Sequence, residues 1–305
     1  MYYEERKPRK RRRRRFGCLF RLIVLILIAA VIGTAFSAGY TLLIEDGWLH
    51  VLLLGVDYDE NGTSRSDTII IASISPMGDI RLTSIMRDTW VEIPGHGSNK
   101  INAAYRFGGP ELAMQTVNRA FGTNIRYYMT ISLRGLAVLI DDLGGIEMDV
   151  TKAEMAEVNS TLAASRKLLA KSGIDTSGLT EYGSGIHLTG AQALSFSRIR
   201  SLDNDYERTL RQRNVLGAML NSARSCRNPI RFISLIRHAQ QYTRTNINWP
   251  HTLAQAAIAL VHGGQIKQKR LPFDGTFEDG KFNGTWCIMA DLEKNRELLY
   301  QFLNE

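Results

Sequence analysis

Residues 48–75 read WLHVLLLGVDYDENGTSRSDTIIIASIS and contain two apolar runs separated by a polar segment. The first run, Trp48–Val56, is short and ends in Gly-Val-Asp, which is typical of a buried strand that opens into a loop. The second run, Asp67–Ser75, is rich in isoleucine, and such a run predicts a strand that is buried on both faces. This stretch therefore predicts strands at the centre of a covered sheet.

The segments that follow alternate between predicted strands and helices. Met77-Gly78-Asp79 is a turn sequence that leads into Ile80–Met86, so this segment and the second strand are predicted to form a hairpin. A proline at the first helical position and a glycine after the last one mark a helix over Pro110–Phe121. The same reasoning predicts a strand at Tyr127–Ser132, a helix at Leu133–Leu143 and a strand at Ile146–Val150. Strands that alternate with helices indicate an α/β fold.

Residues 152–186 interrupt this alternation, because they contain many Ser, Thr and Gly residues and show only weak helical periodicity. We interpret them as an irregular excursion. Regular structure resumes at Thr189, whose hydroxyl group, three residues before Gln192, fits a capping box. The rest of the chain predicts helices at 206–224, 229–242 and 252–262, a strand at 266–271 and a helix at 292–303. Without an internal repeat or a long linker, residues 45–305 are predicted to form one domain.

The N-terminal segment predicts a membrane anchor. Residues 1–21 hold ten Lys or Arg side chains against Glu4 and Glu5, and residues 22–44 contain no charged side chain. A helix of that length covers a hydrocarbon core of about 30 Å. The positive-inside rule then places the basic tail in the cytoplasm and residues 45–305 outside, which describes a single-pass protein of the cell membrane. A cleaved signal peptide is the alternative, although its apolar region is usually only about 7 to 15 residues long.

The net charge of +8 is confined to the tail, because the rest of the chain has equal numbers of basic and acidic side chains. The body therefore lacks the general basic surface that binds phosphate backbones, and no nucleic-acid partner is expected. Beside a membrane span, the arginine-rich tail is better explained as a topology signal that contacts anionic membrane lipid.

Three cysteines leave one question open. Cys18 lies beside the predicted span, whereas Cys226 and Cys287 lie in the exported body, where a disulfide is chemically permitted. Two buried thiols are the alternative, because the sequence does not give the distance between their Cα atoms. The chain has no Cys-His cluster with the spacing of a zinc site.

Charged residues stand at the ends of the first three predicted strands. Asp57 follows the first strand, Asp67 opens the second, and Arg87 ends its hairpin partner. If these strands are neighbours, the three side chains meet at one edge of the sheet, where α/β proteins commonly bind ligands. Two carboxylates repel each other unless a cation lies between them, and Mg²⁺ with substrate phosphates suits such a site. Solvated loop carboxylates are the alternative, because Asp is a common turn residue.

A second cluster contains arginines and one amide. Arg198 and Arg200 are two residues apart, and Arg208, Arg211 and Gln212 are spaced to share one face of a predicted helix. Guanidinium groups bind phosphate oxygens in a bidentate manner, and a helix N-terminus adds its own N–H groups. The absence of lysine from the cluster favours anion recognition over the alternative, an exposed basic helix.

Seven motifs in this order resemble those of the LytR-CpsA-Psr family: Gly55-Val56-Asp57, Arg65-Ser66-Asp67-Thr68, Met86-Arg87-Asp88-Thr89, Lys100-Ile101-Asn102-Ala103-Ala104-Tyr105, Gly108-Gly109-Pro110, Ser197-Arg198-Ile199-Arg200 and Asp205-Tyr206-x-Arg208-x-x-Arg211-Gln212. Seven ordered motifs are far more specific than any one of them. The resemblance implies an α-β-α sandwich with a central mixed sheet and an enzyme of bacterial cell-envelope assembly. Such enzymes transfer a glycopolymer, for example teichoic acid or capsule, from an undecaprenyl-diphosphate carrier to peptidoglycan, usually to the muramic acid 6-hydroxyl.

Carried over by position, the resemblance implies that Asp57 and Asp67 hold Mg²⁺. It also implies a catalytic set of Asp67, Arg87 and Asp88, in which either carboxylate is a candidate general base. The prenyl chain would lie between the apolar faces of the sheet and its helices. The residues implied to bind the diphosphate are Arg87, Arg198, Arg200, Arg208, Arg211 and Gln212, of which Arg211 has the least certain role.

Two other functions remain open. A lipid diphosphate phosphatase or binding protein would share the whole site and differ only in the acceptor, which would be water. A membrane-bound transcriptional regulator would need a DNA-binding module, yet residues 1–15 are too short to fold and the body is neutral. Residues 152–186 and those after 225 do not identify a particular polymer.

Overall fold

The computed structural model describes residues 48–56, 66–75, 77–170, 173–202, 205–226, 229–247, 264–282 and 284–304. The predicted basic tail, the predicted span at 22–44, Cys18, Asp57 and the predicted helix at 252–262 lie outside these residues. Within the described ranges, every helix is too short or too polar to traverse a lipid bilayer.

A six-stranded mixed sheet forms the centre of the fold. Its strands are β1 (Leu49–Val56), β2 (Ser66–Ile74), β3 (Ile80–Ile85), β6 (Tyr127–Ser132), β9 (Thr243–Thr245) and β10 (Ile266–Leu271), in the spatial order β10-β3-β2-β1-β6-β9. The pairs β1–β6 and β3–β10 are parallel, whereas β1–β2, β2–β3 and β6–β9 are antiparallel. The predicted α/β fold with a mixed central sheet is therefore confirmed, and so is the hairpin of β2 and β3.

Seven helices lie within the described residues: α1 (Ala103–Phe121), α2 (Leu133–Leu143), α3 (Lys152–Ala170), α4 (Gly190–Ser197), α5 (Asp205–Ser225), α6 (Pro229–Tyr242) and α7 (Leu292–Asn304). Helix α1 begins earlier than predicted, because one helical turn precedes a kink at Gly108 and Gly109. Gly109 has a φ of 67°, in the left-handed region that glycine adopts without a steric penalty.

Both faces of the sheet are buried, as the isoleucine run of β2 predicts. Successive residues of a strand point to opposite faces. Ile69 and Ile71 pack in one cluster with Phe121 of α1, whereas Ile70 packs on the other face beside Leu216 of α5. Burial of these side chains on both faces is the main force that holds the helices against the sheet.

The strand register brings three chain segments to one edge of the sheet. Gly55, near the end of β1, pairs with Thr68 of β2, and Ile69 pairs with Ile85, the last residue of β3. The loop after β3 therefore lies beside the start of β2. This is the edge at which the sequence predicts a ligand site.

The interpretation of residues 152–186 as irregular is wrong, because 152–170 form the 19-residue helix α3. A signal for this helix is present in the sequence. Thr151 and Glu154 form a capping box, in which the Thr151 amide donates to Glu154 Oε2 at 3.0 Å and the Glu154 amide donates to Thr151 Oγ1 at 3.2 Å. Tertiary burial of Val158, Leu162 and Leu169 then stabilises a helix of weak amphipathicity.

Three two-stranded ribbons flank the central sheet. They are β4 (Trp90–Ile93) with β5 (Gly97–Lys100), β7 (Ile146–Val150) with β8 (Gly183–Leu188), and β11 (Phe277–Phe282) with β12 (Thr285–Ala290). Of these strands, the sequence predicts only β7. Cys287 is buried on β12, and no disulfide joins it to Cys226, which resolves the open question in favour of thiols.

Candidate functional site

An apolar cavity of about 230 Å³ lies between the sheet and the helices on one of its faces. Side chains of β1, β2 and β6 form one wall, and side chains of α2 and α5 form the other. The apolar residues that line the cavity include Leu53, Ile70, Met129, Leu136, Leu216 and Met219. The cavity is therefore suited to a hydrocarbon group.

Polar residues from three separate parts of the chain line the same cavity. They are Asp67, Arg198, Arg200, Arg208 and Gln212. Asp67 is the second residue of β2, Arg198 caps the C-terminus of α4, and Arg208 and Gln212 lie one turn apart on α5. The structure thus brings together five of the site residues that the sequence predicts. They lie in one cavity that has both apolar and charged walls.

The carboxylate of Asp67 links two arginines of the site. Arg87 Nη1 donates to Asp67 Oδ1 at 2.9 Å, and Arg200 Nη2 donates to Asp67 Oδ2 at 3.4 Å. Arg87 thereby joins the group, although it does not line the cavity. Because Asp67 is still 42% exposed, its ion pairs are accessible to a ligand that competes for the arginines.

Arg87 lies among three carboxylates. Besides Asp67, its Nη2 is 3.5 Å from Asp205 Oδ1, and its Nε is 3.5 Å from Asp88 Oδ2. Burial lowers the pKa of Arg87, but the carboxylates of Asp67, Asp205 and Asp88 outweigh that effect, so the net pKa is raised. Lys100 Nζ donates to Asp88 Oδ1 at 2.7 Å, so both oxygens of Asp88 face a cation.

Arg208 is the most buried cation of the site. Its side chain is only 4% exposed, and its Nη2 contacts Asp205 Oδ1 at 2.7 Å. Burial lowers the pKa of Arg208, and the positive charges of Arg87 and Arg200 lower it further, against the opposing effect of Asp205 and Asp67. Among the described residues, the buried Nε atoms of Arg208 and Arg87 make no hydrogen bond, although Arg87 Nε is in ion-pair contact with Asp88. A bound anion would stabilise both guanidinium groups.

Arg198 connects the site to α3, which the sequence does not predict. Its Nη1 donates to Ser165 Oγ at 3.2 Å. This contact orients the guanidinium group at the C-terminal end of α4. At the other end of the helix, the capping box of Thr189 and Gln192 fixes the first turn. The capping box is as predicted from the sequence.

The structure does not bring Arg211 into this group. Its Nε is 3.3 Å from Glu154 Oε1, its Nη1 donates to the Ile199 carbonyl at 3.1 Å, and it is 5% exposed. It lines a separate, polar cleft of about 920 Å³ with Glu154 and Asn214. Positions three residues apart lie only about 60° apart around a helix, so the spacing does not separate the two side chains. The contacts with Glu154 and the Ile199 carbonyl hold Arg211 on the α3 side of α5. Arg211 therefore stabilises the packing of α3 and α5.

The charge balance of the site favours an anion. Among the described charged residues that line the cavity or form ion pairs with Arg87 and Asp88, the cations outnumber the carboxylates by five to three: Arg87, Arg198, Arg200, Arg208 and Lys100 against Asp67, Asp88 and Asp205. The excess of positive charge, the forked guanidinium geometry and the adjacent apolar wall together suit a phosphate ester with a long apolar substituent.

The described residues fit Mg²⁺ only together with other ligands. They contain no group of three or more His, Cys, Asp or Glu side chains that could hold a metal ion. Asp67 offers one carboxylate at the mouth of the cavity. Mg²⁺ usually binds through one or two carboxylates plus substrate phosphates, so Asp67 with a phosphate ester is a suitable donor set.

Comparisons with known proteins identify a family for this chain. The model of the LytR_cpsA_psr family matches residues 37–301. Similar curated proteins include the polyisoprenyl-teichoic acid–peptidoglycan teichoic acid transferase TagU of Enterococcus faecalis, 34% identical over 238 residues, 75% of this chain and 72% of that protein. The protein of the same name from Oceanobacillus iheyensis is 32% identical over 262 residues, 83% of this chain and 74% of that protein.

Solved structures that share the fold include two of TagT. TagT bound to LIIa-WTA has a TM-score of 0.67 at 22% identity and covers 85% of this chain and 90% of its own. The LytR-CPS2A-psr family protein YwtF (TagT) with bound octaprenyl pyrophosphate lipid has a TM-score of 0.62 at 21% identity and covers 86% of this chain and 93% of its own.

Proposed function

Because the chain belongs to the LytR-CpsA-Psr family, we propose that it transfers a glycopolymer from an undecaprenyl-diphosphate carrier to peptidoglycan. The acceptor group is the 6-hydroxyl of muramic acid, and the released product is undecaprenyl phosphate. A transferase named for teichoic acid and peptidoglycan among the relatives supports this reaction. Residues 22–44 anchor the chain in the cell membrane, so that the catalytic domain lies outside the cytoplasm beside both substrates.

One observation carries the proposal: an apolar cavity with arginines at its mouth. Leu53, Met129 and Leu216 line the space that would hold the prenyl chain, and Arg200 and Arg208 line the same cavity where a diphosphate would lie. A small soluble phosphate ester would gain nothing from the apolar walls. A lipid diphosphate satisfies both parts of the cavity.

The ion pairs of the site suggest how the diphosphate is bound. Without a ligand, Arg87 and Arg200 share the solvent-accessible carboxylate of Asp67. When a diphosphate binds, each guanidinium group can donate to phosphate oxygens instead. Arg208 is fixed by Asp205 and directs donors into the cavity mouth. Guanidinium groups held in place before the reaction stabilise charge that develops in the transition state without reorganisation.

In the transfer step, the acceptor hydroxyl attacks the phosphorus that is bonded to the glycan. A new P–O bond forms while the bond from that phosphorus to the lipid phosphate breaks, and the electron pair leaves with the lipid phosphate. We assign the role of general base, which accepts the hydroxyl proton, to Asp88. Asp67 lines the cavity, whereas Asp88 contacts Arg87 from outside the cavity lining. Asp67, with Asp57 as a second ligand, would hold Mg²⁺, which supplies positive charge to the phosphate oxygens when bound.

The test is a transfer assay with full-length protein in membranes or detergent. It contains a glycan linked to a prenyl diphosphate and a peptidoglycan oligosaccharide, and the products are identified by mass spectrometry. A phosphodiester between the two glycans supports the proposal. Release of a glycan phosphate with water as the only acceptor would identify a phosphatase instead.

A pair of variants assigns the base within the same assay. General base catalysis contributes about 10²- to 10⁴-fold, so Asp88→Asn should reduce transfer by that factor without a loss of prenyl diphosphate affinity. Asp175→Asn is the control, because that carboxylate accepts hydrogen bonds from Ser177 and does not line the cavity. Transfer at the wild-type rate by Asp88→Asn would assign the base elsewhere.

A further inference from the structure

The β11–β12 hairpin is attached to both halves of the charged site. The Ile288 amide donates to the carbonyl oxygen of Asp88 at 3.0 Å, beside a parallel bridge from Thr89 to Ile288. On the other strand, Asp279 accepts a hydrogen bond of 3.1 Å from the hydroxyl group of Tyr206 in the first turn of α5. The hairpin therefore lies across the loop after β3 and the N-terminus of α5, next to the charged residues of both.

Two aromatic rings connect this hairpin to the β4–β5 ribbon. The rings of Trp90 and Phe282 are 5.0 Å apart between centroids and tilted by 52°. Phe282 is 42% exposed, and Trp90 is partly exposed. Neither ring lines the apolar cavity. The pair is thus an aromatic surface in contact with solvent that the lipid-binding part of the site does not use.

The strand register places this aromatic pair on the Asp88 side of the site. Trp90 is directly opposite Lys100 in the β4–β5 ribbon, and directly opposite residues project from the same face. Lys100 Nζ is 2.7 Å from Asp88 Oδ1. Trp90 therefore shares a face with the lysine that contacts the proposed base.

We propose that the Trp90–Phe282 pair binds a pyranose ring of the glycan acceptor, an inference that rests on the proposed function. A pyranose ring has an apolar face of C–H groups and a rim of hydroxyl groups. A pair of tilted aromatic rings offers a matching apolar surface, and Lys100 and Asp88 lie next to it to receive the hydroxyl groups.

The geometry of phosphoryl transfer favours the acceptor over the donor sugar. The attacking and leaving oxygens lie roughly in line on opposite sides of the phosphorus. The leaving lipid phosphate is on the cavity side, towards Arg208, so the attacking hydroxyl must come from the opposite side. Asp88, Lys100 and the aromatic pair do not line the cavity, and they are linked to one another by the Lys100–Asp88 ion pair and the Trp90–Lys100 register. An acceptor bound there would approach from outside the cavity.

The experiment measures acceptor use and glycan binding separately in the full-length protein. Trp90→Ala and Phe282→Ala are compared with Trp90→Phe, which keeps a ring, and with Tyr300→Ala, which removes an exposed ring on α7 (Tyr300 is 72% exposed). Truncation of an aromatic residue that anchors a ligand weakens binding about tenfold or more. We therefore expect the apparent KM for the peptidoglycan oligosaccharide to rise about tenfold in the alanine variants. The affinity for octaprenyl diphosphate should stay at the wild-type value, which also shows that the variants are folded.

A second measurement separates this inference from the proposed function. Binding of the peptidoglycan oligosaccharide alone, without donor, is followed by calorimetry. If the wild type binds the glycan through Trp90 but forms no phosphodiester, the proposed function fails and the glycan site remains. If transfer occurs while Trp90→Ala and Phe282→Ala keep the wild-type acceptor KM and glycan affinity, the acceptor site is overturned. A change in donor KM only would assign the rings to the donor glycan and would also overturn it.

Discussion

Asp205 and Arg208 form an ion pair in the first turn of α5, with Arg208 Nη2 2.7 Å from Asp205 Oδ1. The same oxygen is 3.5 Å from Arg87 Nη2, so one carboxylate positions a guanidinium group from the loop after β3 and another from a helix. A buried cation needs a counter-ion, because burial without one is costly. Asp205 is therefore a positioning residue, which holds two arginines ready for an anion.

Asp205→Asn should destabilise the protein, because Arg208 loses its counter-ion in a site where it is 4% exposed. We expect a loss of about 1 to 3 kcal/mol in the free energy of unfolding, the usual range for an unsatisfied buried group. A bound diphosphate can replace the lost charge, so octaprenyl diphosphate should raise the melting temperature more in Asp205→Asn than in the wild type. Equal increases in the two proteins would mean that Asp205 does not position the arginines.

Arg208→Ala should weaken binding of a short-chain prenyl diphosphate by roughly tenfold to a hundredfold, because each hydrogen bond to a charged group contributes about 1.5 to 3 kcal/mol. Arg208→Lys should recover only part of this affinity, since an ammonium group keeps the charge but loses the fork. Binding is measured at fixed salt concentration.

The control for this series must be an arginine on the same helix outside the site. Arg213 lies on the same helix outside the motif, but it is unsuitable as a control. It is buried and donates from Nη1 to Ser84 Oγ at 2.7 Å, so its removal would also change the packing of the protein. Arg224 is suitable, because it lies about 24 Å further along α5 at ~1.5 Å per residue and contacts the Gly78 carbonyl. If Arg224→Ala lost as much affinity as Arg208→Ala, the effect would be one of general charge.

Asp67→Ala should reduce metal-dependent transfer about 10²-fold or more, because it removes a proposed Mg²⁺ ligand. The melting temperature of the metal-free protein should change little, because Asp67 is 42% exposed and exposed ion pairs contribute little stability. The measurement is the transfer rate as a function of Mg²⁺ concentration, with Asp175→Ala as the matched control. An unchanged Mg²⁺ dependence in Asp67→Ala would place the ion elsewhere.

Tyr206 should make the stability of the protein sensitive to alkaline pH. Burial and the hydrogen bond to Asp279 raise the pKa of Tyr206 to about 12. A tyrosine in the unfolded chain titrates near pH ~10, so the folded state holds this proton more tightly. The resulting stability is fully present below pH ~10 and is lost as the pH rises towards the folded-state pKa.

We therefore expect the free energy of unfolding to fall more steeply above pH ~10 in the wild type than in Tyr206→Phe. Urea unfolding in detergent at pH values from 8 to 11, followed by circular dichroism, checks this difference. Tyr300→Phe, at an exposed position, should follow the wild type. Parallel pH profiles for the wild type and Tyr206→Phe would contradict the assigned contact with Asp279.

The membrane topology is tested by reporter fusions. The basic tail and the uncharged span predict a cytoplasmic N-terminus and an exported C-terminus. A reporter that is active only in the cytoplasm should be silent when fused after Glu305. Strong activity of that fusion would contradict the proposed placement of the catalytic domain.

The sequence by itself determined the central elements of this protein. The isoleucine run of β2, the turn at Gly78 and the capping box at Thr189 each have a local physical cause, and each appears in the structure where the sequence predicts it. Charged residues at the strand ends also predicted a site for Mg²⁺ and phosphate at the edge of the sheet, and the arginine cluster predicted recognition of an anion. These properties follow from short-range chemistry, which is readable along the chain.

The tertiary structure alone decided which charged side chains act together. Arg208 and Arg211 look equivalent in the sequence, yet the first faces Asp205 in the site and the second faces Glu154 in the interface with α3. Helix α3 was not predicted although its capping box is present in the sequence, because its apolar periodicity is weak and much of its stability comes from burial against distant segments. The β11–β12 hairpin likewise depends on contacts with distant segments. The contact of Ile288 with Asp88 spans 200 residues of chain, and no local pattern encodes such a pairing, because it depends on the packing of the whole fold.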